Sequence, residues 1–247
     1  MSSFIKGLGL DLFDFKNKFV CITEENNADA NFCIGALISQ ALSDQAGGVC
    51  LLALHHSILH YYHVGMRLGH NLSSLVKRKF NIVDSVDILD STNGLKNNDD
   101  LLKTTFFLLK NKLDQVRENC GKIFILIDDL SDFMNMGLSA KDIISFVQYL
   151  RLSLENEETL VISSHYNIGD REQEFIKNFL TLTCDLRLDV RSLETGFSKE
   201  VTGSITLTRK DMNNVSSWSP SAFYHYKTGE RTIKVFSPGN ISFSYTV

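Results

Sequence analysis

The chain has 247 residues, with 25 lysines and arginines against 29 aspartates and glutamates, a formal net charge of −4. That balance excludes a free-standing nucleic-acid-binding module, which needs surplus basic groups to neutralise phosphates, and a hydrophobic content of 43% excludes a disordered chain. The two prolines, Pro220 and Pro238, both lie near the C-terminus, so no proline-rich linker divides the sequence and a single domain over residues 1–247 is expected.

Strand-like and helix-like segments alternate. Phe19 to Thr23 is a short run of strand formers, and Ala30 to Leu42 carries Cys33, Ile34, Leu37, Ile38 and Ala41 at helical spacing. Gly47-Gly48 marks a stop, and Val49 to Leu54 is a second apolar run. Ser57 is placed to cap a helix that ends near Gly69. Ile82 to Leu89 is ambiguous in period and reads as a short strand within loops. Asn97-Asn98-Asp99-Asp100 introduces a longer helix whose Leu102, Phe106, Leu109, Leu113 and Val116 form one stripe, closed by Gly121.

Ile123 to Ile127 is apolar without a break, as a strand buried on both faces of a parallel sheet must be. Ser139 and Asp142 have capping-box spacing, and Ile143, Val147, Leu150 and Leu154 give the helix behind them its apolar face. Thr159 to Ser163 is a further strand and Glu172 to Leu182 a further helix. From Asp185 the period changes to two: Leu186, Leu188 and Val190, then Ile205 and Leu207, alternate with polar residues. Phe223 to Lys227 and Thr232 to Phe236 flank Thr228-Gly229, a hairpin signal. The expected fold is an α/β three-layer sandwich of about nine strands, mostly parallel, with antiparallel C-terminal strands.

Five scattered cysteines, Cys21, Cys33, Cys50, Cys120 and Cys184, form no C-x-x-C pair and suit a reducing compartment. The N-terminus lacks a signal-peptide pattern and no apolar run nears the ~20 residues of a membrane span. A cytosolic or nuclear location without membrane contact is expected.

Chemistry is sought first at the strand-to-helix turns. A P-loop needs glycines that let backbone amides turn inward, and a lysine for the outer phosphates. Here the first turn reads Glu24-Glu25-Asn26-Asn27-Ala28-Asp29-Ala30-Asn31, with no glycine, no lysine and three carboxylates that repel a triphosphate. Asp128-Asp129 follows the most apolar strand, as in a Walker B site, where a carboxylate holds Mg²⁺; the same pair serves equally to satisfy loop amides. His56, His60 and His63 would share a helix face and suggest Zn²⁺, without a carboxylate or cysteine in the run to complete the set. Ser163-Ser164-His165 is a Ser-His pair with no orienting acid in view. Lys77-Arg78-Lys79 is the densest basic run, a solvated face or a local RNA contact. Phe223, Tyr224, Tyr226, Val235 and Phe236 place aromatic and aliphatic groups on both sides of the hairpin and are candidate interface residues.

Taken together, the pattern is that of a RecA-like core without a Walker A loop. Within it, His60-Tyr61 with Val64-Gly65-Met66-Arg67-Leu68-Gly69, Ile125 to Ser131, Met136-Gly137 and Phe146 to Arg151 resemble the family of Elongator complex sixth subunits. Leu193 to Phe197, Val201-Thr202-Gly203 and Tyr224 to Lys227 extend the resemblance, which runs from about Val49 to Gly239. The resemblance implies a RecA-like fold without the ATPase loop, joined with Elongator subunits four and five in a hetero-hexameric ring. That ring docks on the catalytic subunits one to three, which carboxymethylate wobble uridine in tRNA, and the assembled ring binds the tRNA. It implies no cofactor, no metal and no catalytic residue in this chain, since the radical chemistry belongs to another subunit. Two other readings stay open: a RecA-class ATPase with an atypical phosphate loop, and a metal-dependent hydrolase using the histidine face.

Overall fold

The computed structural model describes residues 2–91, 98–193, 198, 200–210, 218–229 and 232–238. In chain order the elements are α1 (Ser2–Gly7), β1 (Phe19–Glu25), α2 (Asn31–Ser43), β2 (Gly47–Ala53), α3 (Ile58–Arg67), α4 (Leu72–Leu75), β3 (Phe80–Asp84), α5 (Ser85–Ser91) and α6 (Asn98–Arg117). There follow β4 (Lys122–Ile127), α7 (Asp132–Asn135), α8 (Ala140–Leu152), β5 (Glu158–Tyr166), α9 (Arg171–Thr183), β6 (Leu186–Ser192), β7 (Gly203–Arg209), β8 (Ala222–Thr228) and β9 (Ile233–Phe236). Asn97, the segment Glu194 to Phe197 and Gly239 lie outside the described residues.

The strands form one nine-stranded sheet in the order β3-β2-β4-β5-β1-β6-β7-β8-β9. The first six in that order are parallel, and β7, β8 and β9 add antiparallel at one edge. The mostly parallel sandwich with an antiparallel extension, expected from the change of period at Asp185, is what the sheet shows. β2 is buried along its whole length and β4 along all but its first residue, as strands covered on both faces must be. β6 instead alternates buried and partly buried positions.

Handedness decides which helix covers which face. The connections β1→β2 and β2→β3 step toward the β3 edge, and their helices α2, α3 and α4 bury Leu37, Tyr61 and Leu72 in one core. The connections β3→β4, β4→β5 and β5→β6 step the other way, and α6, α8 and α9 bury Leu109, Val147 and Leu180 in a second core on the opposite face. Right-handed crossovers require that reversal. Adjacent strands β1 and β5, and likewise β2 and β4, therefore send their loops to opposite faces, which opens a crevice outside their C-terminal ends.

Several ends follow from local chemistry. Ser139 and Asp142 make both bonds of a capping box at α8, and the Ser57 hydroxyl accepts from His60 N at α3. Gly47-Gly48 opens β2, where a Cβ on Gly47 would collide with the Ala41 carbonyl in the last turns of α2. The segment read as a strand over Ile82 to Leu89 divides instead: the strand is Phe80–Asp84 and a helix begins at Ser85. Asp84 and Asp87 fix that start, since Asp87 N donates to Asp84 Oδ1 at 2.9 Å. At the end of α6, Arg117 grips the buried Glu158 of β5 with two parallel bonds, Nε to Oε1 at 2.8 Å and Nη2 to Oε2 at 2.9 Å. This bidentate pair joins a helix to the strand order that sequence period could not provide. All five cysteines are buried thiols. Among the described residues, no helix is long and apolar enough to cross a membrane.

Candidate functional site

The crevice at the C-terminal ends of β1, β2, β4 and β5 has a volume of about 490 Å³. Each strand contributes residues at or just past its end: Glu24 and Asp29 from β1, His55 and His56 from β2, Asp128 and Asp129 from β4, His165 from β5. Asp132 at the start of α7 completes the wall, and no lysine or arginine lines it among the described residues.

The first turn shows why the crevice is a poor phosphate site. In nucleotide-binding α/β folds the free amides at the start of the first crossover helix face the anion. Here Glu24 Oε2 accepts from Ala30 N at 2.6 Å, and Asp29 Oδ1 accepts from Asn31 N at 2.9 Å. The protein's own carboxylates hold the amides at the head of α2. Burial pushes the Glu24 carboxyl up to about 7, with the nearby Asp129 and Asp29 charges adding to the rise against the Ala30 hydrogen bond.

Asp128 is saturated. Its Oδ1 accepts from Leu54 N at 2.6 Å, His55 N at 3.1 Å and Asp129 N at 2.8 Å. Its Oδ2 accepts from His56 N at 3.0 Å and from the Tyr61 hydroxyl at 3.0 Å. The Walker B-like position is thus occupied in shaping the turn between β2 and α3. Asp129 is only 5% exposed, and its Oδ1 takes Ser131 N at 2.9 Å, the Ser131 hydroxyl at 2.6 Å and His165 N at 3.1 Å. No described residue donates to its Oδ2, and burial raises its carboxyl above the ordinary range.

The histidines fall differently from the helix-face reading. His56 precedes α3 and stacks on His60 with ring centroids 4.1 Å apart, while His63 is exposed. His60 Nε2 lies 2.7 Å from Asn31 Nδ2, tying the start of α3 to that of α2. Burial lowers both His56 and His60, and a neighbouring imidazole, His55 for the first and His56 for the second, adds to the lowering. His55, which the sequence reading passed over, has Nδ1 2.8 Å from Asp132 Oδ2. Burial alone would lower it, but that bond and the Asp132, Asp129 and Asp128 charges outweigh burial and raise it. The group of potential ligands among the described residues is His55, Asp129 and Asp132, with donor atoms within 4.8 Å of one another. The signal for it was available, since every one of these residues closely follows a strand or opens the next helix. At the Ser-His pair, the Ser163 and Ser164 hydroxyls make no hydrogen bond to His165 among the described residues; its Nδ1 lies 4.0 Å from Glu24 Oε1.

The remaining candidates lie elsewhere. Lys77-Arg78-Lys79 sits at the N-terminal end of β3, at the opposite end of the sheet from the crevice. Lys77 and Arg78 are exposed or nearly so, but Lys79 Nζ donates to the carbonyls of Gln45 at 2.6 Å and Asp44 at 3.3 Å. The hairpin residues divide by face. Tyr226 is 2% exposed, its ring 4.8 Å from that of Phe32, and Tyr224 and Val235 pack on the same core. Tyr226 therefore belongs to the interior, which corrects its placement among interface candidates. Phe223 is exposed and Phe236 half-buried.

A solved KaiC-like protein from the archaeon Pyrococcus horikoshii aligns over 90% of this chain and 90% of its own, with a TM-score of 0.61 at 13% identity, which is a likeness of RecA-type fold. Elongator complex protein 6 of Drosophila melanogaster is 28% identical over 90% of this chain and 91% of its own. The Danio rerio protein of the same name is 25% identical over 91% and 92%, and the human one 24% over 77% and 80%. The model of the family described as Elongation complex protein 6 matches residues 11–230, from before β1 to beyond β8, and the chain belongs to that family.

Proposed function

We propose that the chain is a non-catalytic subunit of Elongator, joined with subunits four and five in a hetero-hexameric RecA-like ring. The ring docks on catalytic subunits one to three in the cytoplasm and presents tRNA for carboxymethyl-type modification of the wobble uridine. Family membership supports the assembly. The observation that carries the non-catalytic part is Glu24: its carboxylate accepts the Ala30 amide at the head of α2, where a nucleotide-binding fold places a phosphate. Asp128 supports the same reading, because its five protein donors leave little capacity for a hydrated Mg²⁺.

The test is affinity purification of the tagged full chain from cells, with identification of the co-purifying proteins. Subunits four and five in equal amounts are expected, with subunits one to three at lower yield. Recovery without any Elongator subunit would overturn the assembly. Calorimetry of the lone chain with Mg²⁺-ATP tests the other half: no saturable binding is expected, and micromolar affinity would favour an ATPase with an atypical phosphate loop.

A further inference from the structure

We propose that His55, Asp129 and Asp132 form a binding site for a first-row divalent cation of the Zn²⁺ class, clipping the β2–α3 turn to the start of α7. The proposal stands apart from the ring reading and holds whether or not the chain joins one.

Three observations carry it. The first is the ligand set itself: one imidazole from the β2–α3 turn and two carboxylates from the connection of β4 to α7, with donor atoms within 4.8 Å of one another. Two ligands of a tetrahedral metal with bonds near 2.0–2.1 Å stand about 3.3 Å apart. The His55 side chain is 55% exposed, so its ring is free to close that difference. The second is independent of the count. Asp129 is nine-tenths buried, yet its Oδ2 receives no hydrogen bond among the described residues, while three donors fix Oδ1 and so hold the carboxylate in one orientation. Asp129 lines the crevice, so its uncommitted oxygen is available to a cation entering there. The third is charge: five carboxylates line the crevice and no described lysine or arginine does.

The cation is not the Mg²⁺ of a nucleotide. Mg²⁺ in such sites keeps several waters and leans on phosphate oxygens, whereas an imidazole ligand favours Zn²⁺ and its transition-metal neighbours. Asp128 stays outside the set because its lone pairs are already engaged. Three protein ligands leave at least one position for water.

The experiment uses the full chain, stripped with chelator, and titrates Zn²⁺ by calorimetry and Co²⁺ by visible absorption, with ~1 mM Mg²⁺ present throughout as competitor. Thermal melting is followed in parallel, because a ligand that binds only the folded state raises Tm. Asp132→Asn and His55→Ala are the test variants; both lie at the crevice rim. We expect one equivalent bound, a Tm rise, and at least a tenfold weakening in each variant, since even outer partners of metal ligands cost about 10–100-fold. The metal-free Tm of each variant shows that it is folded, and the doubly substituted chain gives the background from other histidines and cysteines. No saturable binding to the wild type, or binding retained in the double variant, would overturn the proposal.

Discussion

Tyr61, on the second crossover helix, points its hydroxyl at Asp128 Oδ2 from 3.0 Å, and the two residues lie 67 positions apart in the chain. Both are almost fully buried. The phenol has one hydrogen, and although Asn31 Oδ1 lies 3.1 Å away, the carboxylate is the stronger acceptor. Burial and the Asp128 charge both push the Tyr61 hydroxyl far above its ordinary value, so it stays protonated and donating. A position that in an ATPase would serve chemistry here anchors α3 and the three amides from Leu54 to His56.

Substitution at this pair should therefore be read in stability. Asp128→Asn turns one acceptor into a donor facing other donors, and should cost about 3 kcal/mol; Tyr61→Phe, which removes one charge-assisted bond, should cost about 1.5 kcal/mol. Urea denaturation at neutral pH measures both, with the slope unchanged if only stability moves. A wild-type midpoint for Asp128→Asn would show that the carboxylate is not a structural anchor.

Glu24 gives the opposite sign. Its carboxyl is raised in the folded protein from 4.5 to about 7, so between those values the folded state holds more protons than the unfolded one. Its contribution is fully present below about pH 4.5 and is lost as pH rises through 7, by about 3 kcal/mol at most. Glu24→Gln keeps an acceptor for the Ala30 amide and removes the charge. The variant should be more stable than the wild type at pH 8, by about 1–3 kcal/mol, and the difference should vanish near pH 5. Denaturation series across that range check it; a difference independent of pH would count against a raised Glu24.

Much of the fold was legible because its causes are local. Unbroken apolar runs such as Ile123 to Ile127 announce buried parallel strands, and Ser139 with Asp142 announces a helix start that the structure builds as expected. Strand order was not legible: β1 lies between β5 and β6, pairings set by residues more than 100 positions apart. The site was half legible. The acidic first turn and Asp128-Asp129 were visible, but not that Glu24 would take the Ala30 amide, nor that His55 would meet Asp132 across 77 positions. For the hairpin, alternation put Tyr224 and Tyr226 on one face and Phe223 on the other. Which face is interior depends on α1 packing against β9, which brings together the two ends of the described chain.

The basic run makes a prediction about RNA that its three members do not share. Lys77 and Arg78 reach solvent, while Lys79 is engaged with carbonyls just past the end of α2. If this edge of an assembled ring meets tRNA, Lys77→Ala with Arg78→Ala should lower the salt slope of binding by about one unit for each phosphate no longer neutralised. Lys79→Ala should instead cost the fold about 0.5–1 kcal/mol, as removing a cation from a helix C-terminus does. Titrations at several salt concentrations with wild-type and variant rings decide the point, and identical slopes would take Lys77 and Arg78 out of the RNA path.

The last prediction concerns assembly and separates residues one position apart in period. On β8 and β9 one face carries Tyr224, Tyr226 and Val235 into the core, and the other carries Phe223, His225 and Phe236 outward. Phe223 stacks edge-on with His225 at 5.2 Å between ring centroids, and the His225 ring lies 6.0 Å from that of Phe236. His225 Nδ1 is buried there with no hydrogen-bond partner among the described residues. Aromatic side chains grouped on one face are what interface centres favour, and removing one at a hot spot costs about 2 kcal/mol or more, roughly thirtyfold in affinity. Phe223→Asp should therefore weaken assembly with subunits four and five by about that factor while leaving the lone chain's melting temperature close to wild type, because Phe223 is 45% exposed. Tyr226→Ala should do the reverse at the level of cause, destabilising the fold by about 3–5 kcal/mol as buried aromatic truncations do, and abolishing assembly only because the chain unfolds. Co-expression followed by size-exclusion chromatography, with melting curves on each purified variant, distinguishes the two. A ring that forms normally with Phe223→Asp would move the interface away from this face of the hairpin.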